Sequence, residues 1–451
     1  MNPKEFLLHE CDNVRSALRE VLRHDYAAGS SEEFYTEFNE RLDFLESLIA
    51  PADPGEISSL KKFADEVSLL SALVHHIERS HAGEFPWPFT EYLKELATPL
   101  CMEHLAQNEG NPIIRVYAEG GLYSYRINLE NDLSILNVGR RIFTIVFPRT
   151  LKHHVLLHAI FGHEIGHAAW TIPKHRSELR DKVLKPLRGT GPLTSTSQAT
   201  LWLRSDGAPD HIKNLRAQYG NDAYTEIKTG QLDSWFQEFM CDLFGLVIFG
   251  PSFIAAHKTL LGSLDPTGHR WGPYHPPYVC RKAMLWHACR HLGWEVFPAA
   301  INDAALKMDA EGFLKGCLGE TAPTGWEDVF TPTQVKAAVD ALTLILTAAG
   351  SSCYAMPDEK ALLLLVHMLE QHIPPCGADL SGSAMPANQA LDFRHILFAG
   401  WMVSEKRGAA SRGAASAVSE VSREFLQNNK LCELGLLQQR AINLHQGSKT
   451  A

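Results

Sequence analysis

Apolar residues recur three and four positions apart through Glu5 to His24, Glu32 to Leu48, Glu56 to Ser80 and Phe89 to Gln107, the period of helices with one buried face. Proline-containing loops at Ala50 to Gly55 and Phe85 to Pro88 separate them. After Asn111-Pro112 the pattern changes. Ile113 to Tyr117, Tyr123 to Leu129 and Arg141 to Phe147 are rich in β-branched and aromatic residues and predict a sheet of three strands, closed by Pro148. Two apolar segments follow, Val155 to Trp170 and Asp233 to Phe249, each long enough for a helix, with a polar stretch from Gly189 to Gln198 that reads as a loop. Beyond residue 283 helical patterns return as far as Leu444, interrupted by the Gly/Ala/Ser-rich Gly408 to Ala417. No repeat of fixed period is present. The expected fold class is α+β, mainly helical, in three parts: an N-terminal helical module at 1–110, a core with a small sheet and two helices of interest at 111–285, and a C-terminal helical module at 286–451.

The first apolar helix contains His163-Glu164-Ile165-Gly166-His167, an H-E-x-x-H pattern. Residues four apart share a helix face, so two neutral imidazoles can reach one ion while Glu164, a quarter turn away, stands beside it and can take a proton from water. The second apolar helix carries Glu238 and Asp242, also four apart, among Trp235, Phe236, Phe239, Met240, Leu243, Phe244 and Leu246. Carboxylates on so apolar a helix need partners. Hydrolytic zinc sites keep three protein ligands and one open position, so Glu238 completes a set with His163 and His167. Asp242 is then placed to accept a hydrogen bond from a ligand imidazole.

The combination of H-E-x-x-H, E-x-x-x-D and a later His275-Pro276-Pro277-Tyr278-Val279-Cys280-Arg281 resembles the gluzincin metallopeptidases, within them the minigluzincin and CAAX-prenyl-protease branch. The resemblance spans residues 140 to 285. It implies a zincin-like core and a Zn2+-dependent peptidase in which Glu164 is the general base, His275 stabilises the oxyanion, and Arg281 orients it or supports the Asp. In that scaffold a strand before the active-site helix pairs with an extended peptide, and Arg141 to Phe147 is the candidate. Most CAAX-prenyl-type relatives are membrane-embedded, so a prenylated substrate is not carried over. Tyr274 and Tyr278 are further candidates for the oxyanion, Tyr274 ranking after His275.

Other features narrow the picture. His153, His154, His158 and His175 cluster near the motif, but His158 sits about 140° around a helix from His163 and builds no second site. Cys241 reads as a small core residue. The formal net charge of -10 and the lack of a concentrated Lys/Arg footprint argue against nucleic acid. Nine scattered cysteines without a C-x-x-C pair read as reduced thiols. No secretory signal opens the chain, and the longest apolar stretches fall short of the roughly 18 residues of a membrane span. A cytoplasmic protein is therefore expected, acting on a protein or peptide substrate. Two alternatives stay open: a zinc hydrolase of a non-peptide amide or ester, and a catalytically silent zincin-fold binding protein. Substrate identity and oligomeric state are not legible.

Overall fold

The computed structural model describes residues 2–23, 31–78, 85–102, 113–120, 125–130, 142–189, 191, 193–194, 198, 213, 217, 229–265, 268, 274–318, 329–377, 391–411 and 417–450. The chain divides into two compact units, Met1–His153 and His154–Ala451. This division differs from the boundaries read near residues 110 and 285: the sheet groups with the N-terminal helices, and the metal motifs group with the C-terminal helices. Half of the polar stretch 189–198 lies outside the described residues.

The first unit opens with α1 (Pro3–Val21), started by a capping box in which Asn2 and Glu5 satisfy each other's backbone amides. Its buried Leu7, Cys11, Val14, Leu18 and Val21 alternate by four and three, forming a stripe that packs against α2 (Ser31–Ile49) and α3 (Ile57–Glu78). α4 (Trp87–Met102) follows. The three helical patterns and the fourth therefore appear within a few residues of their expected bounds. The expected sheet is present as β1 (Ile113–Glu119), β2 (Arg126–Glu130) and β3 (Ile142–Pro148) in the order β1-β3-β2. β3 is parallel to β1, with Ile145 opposite Val116, and antiparallel to β2, with Ile145 opposite Ile127. This corrects one expectation. The strand at 141–147 is central, and its backbone groups are taken on both sides, so it offers no free edge to a peptide.

The second unit is helical. A 3-10 turn, Leu157–Ile160, leads into α5 (Phe161–Thr171), which carries the H-E-x-x-H motif. Helix α6 (Pro173–Glu178), a π-helical turn at Leu179–Leu184 and α7 (Lys185–Arg188) continue from it. Then come α8 (Thr229–Phe249), α9 (Pro251–Leu264), α10 (Tyr278–His291), α11 (Ala304–Leu318), α12 (Pro332–Ala348), α13 (Glu359–Glu370), α14 (Phe393–Ser411) and α15 (Ala417–Thr450). The last two helices hold the lead into α5: Asn429 accepts from the Leu156 amide at 3.0 Å, and the Trp401 indole donates to the Leu156 carbonyl at 3.0 Å. The far end of α8 is held in the same way. Arg394 donates to the Ile248 carbonyl at 2.7 Å, a group that the helix itself leaves without a partner. No helix among the described residues is long and apolar enough to cross a membrane.

Glycines set how closely α5 and α8 approach. A methyl group on Gly162 would stand 2.6 Å from the Gly245 Cα, and one on Gly166 would stand 2.9 Å from the Cys241 Cα. Backbone meets backbone at both points, so no side-chain rotation relieves the clash. Gly162→Ala should therefore destabilise the fold by about 1–3 kcal/mol in urea denaturation. Gly262→Ala is the control, since a Cβ at this position in α9 meets nothing within 4 Å; helix propensity should make it neutral or up to about 1 kcal/mol more stable.

Candidate metal centre

Two helix faces, brought together by the glycine contacts, place the motif residues around one point. His163 and His167 leave α5 with their rings 4.7 Å apart and nearly perpendicular, and their Nε2 atoms are separated by 3.0 Å. Glu238 on α8 presents Oε2 at 3.5 Å from His163 Nε2 and Oε1 at 3.3 Å from His167 Nε2. Cys241, one turn along α8, brings its sulfur into the same cluster: ligand atoms of His163, His167 and Cys241 lie within 4.8 Å of one another. Such a group can hold a metal ion. Glu164 lies half-buried on α5 beside these rings in sequence.

A second layer surrounds this point. Asp242, fully buried, accepts from His163 Nδ1 at 2.9 Å. Arg281 of α10 grips Asp242 with both arms of its guanidinium, Nε to Oδ2 at 2.7 Å and Nη2 to Oδ1 at 2.5 Å, and its third nitrogen stands 3.5 Å from Glu238 Oε2. A bidentate pair of this kind fixes both partners in angle as well as distance. The contacts of Arg281 are thus those of support for the aspartate. The amide of Gln237 lies 3.4 Å from His167 Nδ1.

Burial and charge compete at each group. Burial works to raise the Asp242 carboxyl, and the facing Arg281 and the neighbouring imidazoles overcome it, holding the group well below the usual carboxylate range. Glu238 behaves likewise: burial opposes its ionisation, but His163, His167 and Arg281 bring it down to about 2. Burial lowers His163 to about 4 despite its contact with Asp242. Burial also works against a charged His167, and there the Cys241 sulfur and the Glu238 carboxylate win, so its pKa rises. Burial pushes the Cys241 thiol up to about 11.

The structure treats the downstream segment differently. His275 is exposed and makes no hydrogen bond or ion pair with the described residues, and Tyr274 is 66% exposed. Tyr278 packs its ring 5.6 Å from that of His257. His257 was not singled out in the sequence. It lies on α9, 1% exposed, with Nε2 at 3.2 Å from Asp242 Oδ1 but not aligned as a hydrogen bond, and with Nδ1 lacking a hydrogen-bond partner among the described residues. The signal was available: Phe253-Ile254-Ala255-Ala256 precede it, and a titratable side chain in so apolar a run needs a partner as much as Glu238 does. Of the histidines set aside, His158 is buried against Phe161 and His154 stacks toward Phe425.

No protein-family model, curated protein or solved structure matches this chain. The resemblance to gluzincins therefore rests on the sequence motifs alone.

Arg281 is the partner that makes a buried Asp242 tolerable. Arg281→Met should cost about 3–5 kcal/mol of folding free energy, because it leaves an anion uncompensated in the interior. Adding Asp242→Asn should recover part of that loss, and a double-mutant cycle by chemical denaturation measures the coupling. Strict additivity would show that the pair acts independently.

Proposed function

We propose that this chain is a zinc-dependent peptidase of the gluzincin type, with His163, His167 and Glu238 as metal ligands and Glu164 as general base. One observation carries the reading: two imidazole nitrogens and a carboxylate from an independent helix converge with spacings of 3.0, 3.3 and 3.5 Å. Nitrogen and oxygen ligands of a tetrahedral zinc stand roughly 3.3–3.5 Å from one another. Charge supports the same conclusion. With both imidazoles neutral, as ligation requires, Glu238 and Asp242 against Arg281 leave one negative charge in excess, which a proton on His167 balances in the metal-free protein and a bound cation would balance in its place. Glu238 is preferred to Cys241 as third ligand because its two oxygens reach both rings.

When bound, zinc supplies Lewis acidity to a water and to the carbonyl under attack. The chain supplies the rest. Glu164, about a quarter turn from His163 along the helix, would accept the water's proton. Asp242 accepts a hydrogen bond from the Nδ1–H of His163, favouring the tautomer that presents Nε2 as a lone pair, and Arg281 holds Asp242 at the angle this requires. The Gln237 amide nitrogen stands 3.4 Å from Nδ1 of His167, the ring nitrogen turned away from Glu238. His275 keeps the oxyanion role only through the resemblance, its exposed position giving no independent support. The substrate in this reading is a protein or peptide, with no role for nucleic acid. The eight cysteines whose side chains are described are free thiols, in keeping with the cytoplasmic setting of this reading.

Two measurements test this. Metal analysis of the purified protein should give about one zinc per chain, with large losses in His163→Ala, His167→Ala and Glu238→Ala but not in Cys241→Ala. Zinc loss in the Cys241 variant with retention in the Glu238 variant would exchange the third ligand. Glu164→Gln is nearly isosteric and should keep fold and zinc while lowering hydrolysis about 10²–10⁴-fold, read as the loss of new peptide termini from a degenerate peptide mixture. A zinc-loaded Glu164→Gln protein cleaving at the wild-type rate would remove Glu164 from the mechanism.

A further inference from the structure

The chain has ten more acidic than basic residues, yet between Pro173 and Arg188 six Lys/Arg stand against two acidic residues. The run α6, π turn and α7 lines a cleft with Arg176, Arg180, Lys185 and Arg188, against which stand only Asp181 and Asp233. Part of this cleft is a cavity of about 260 Å3 whose walls include Trp170, Arg176, Arg180, Arg188, Asp233 and Gln237. Two of these residues tie the cavity to the metal centre. Trp170 is one turn beyond His167 on α5, and Gln237, next to Glu238, sits 3.4 Å from His167 Nδ1.

The cations are not a uniformly solvated face. Arg188 is fixed by an ion pair with Asp233 and lies over the Phe236 ring at 5.3 Å from its centroid. Arg180 stands 4.0 Å from the other Asp233 oxygen. Arg176 and Lys185 are exposed and carry no side-chain hydrogen bond or ion pair among the described residues, although acids are in excess over the whole chain. The π turn itself is anchored, with Leu179, Val183 and Leu184 buried, and it packs against α12 and α8. π turns are uncommon and recur at functional sites, because the added residue re-aims the side chains around it. Here the side chains on either side of the turn point into one concavity.

We propose that this cleft is a substrate subsite for a carboxylate, from an acidic side chain or from the C-terminus of the peptide, held beside the bond that the metal centre addresses. The inference rests on the peptidase reading for its substrate and on the cleft's own residues for its chemistry. Arg176 and Lys185 supply the unpaired charges. Arg188, held by Asp233 and Phe236, is a fixed part of the wall, and Gln237 joins the subsite to His167. An exposed ion pair contributes up to about fivefold in affinity, so two of them give a preference of roughly tenfold for the charged ligand.

The test reads binding apart from catalysis. Zinc-loaded Glu164→Gln full-length protein is titrated with dye-labelled, N-acetylated degenerate octapeptides carrying one fixed Glu or one fixed Gln, each made as the C-terminal acid and as the amide. Fluorescence anisotropy at low salt should show a preference of roughly tenfold for the carboxylate-bearing peptides. Preference for Glu over Gln among the amides assigns a side chain, and preference for acid over amide among the Gln peptides assigns the C-terminus. The preference should shrink at high salt and vanish in Arg176→Gln/Lys185→Gln, whose zinc content should be unchanged. Equal binding of all four peptides, no binding of any, or a preference that survives the double substitution would overturn the subsite. Cleavage by the wild-type protein is scored separately on the same peptides: a carboxylate preference without cleavage keeps the subsite and removes the peptidase, whereas cleavage indifferent to carboxylates does the reverse.

Discussion

The cluster of His163, His167, Glu238 and Cys241 depends on two helix backbones that nearly touch. The H-E-x-x-H helix and the E-x-x-x-D helix approach so closely that methyl groups at Gly162 and Gly166 would strike backbone atoms of Gly245 and Cys241. At that separation imidazoles from one helix and a carboxylate from the other lie within 3.5 Å of each other. The surrounding helices enforce the arrangement. Trp401 and Asn429 hold the turn that leads into α5, and Arg394 holds the end of α8, so neither helix can slide without breaking buried hydrogen bonds.

Close approach creates an electrostatic problem. Glu238 and Asp242 are buried on the same face of α8, and one anion alone would be costly there. Arg281 is the answer from α10, gripping Asp242 and reaching Glu238, with His257 closing the remaining side. A single guanidinium cannot balance two carboxylates, and the remaining charge is met at His167, whose pKa, despite burial, is raised by the neighbouring Cys241 and Glu238. The layout holds His163, Asp242 and Arg281 in fixed orientation around one point, the preorganisation that the proposed metal site would need.

Much of this was readable beforehand because helices convert spacing into direction. His163 with His167 and Glu238 with Asp242 are each four apart, so both pairs had to share a face, and the apolar residues around the acids announced that they were buried. The helix bounds of the N-terminal unit followed from the same period. What sequence could not supply was anything set by non-local geometry. The strand at 142–148 has the same β-branched character at the centre of a sheet as at an edge, and only the parallel pairing with β1 makes it central. Gly162, Gly166 and Gly245 have no meaning until the helices cross. Arg281 could have faced the substrate or Asp242, and the choice depends on where α10 lies. His257 gave a readable signal, an isolated imidazole in an apolar run, but its partner was 15 residues away on another helix.

The central position of β3 bears on how a substrate would be recognised. Strand addition satisfies a peptide's backbone and is indifferent to much of its sequence, whereas a strand paired on both sides cannot provide it. If recognition does not come from that strand, side-chain chemistry near the metal has to provide more of it. The π turn is suited to this task, since it places cations in a concave wall that ends at Gln237 and Trp170, next to two of the proposed ligands. Charged walls discriminate between substrates more sharply than apolar ones of the same size, because the wrong ligand leaves cations facing an uncharged group. In the proposed enzyme, the metal-binding helices would supply a hydrolytic step common to many peptides, and the short irregular segment after α5 would decide which peptide receives it.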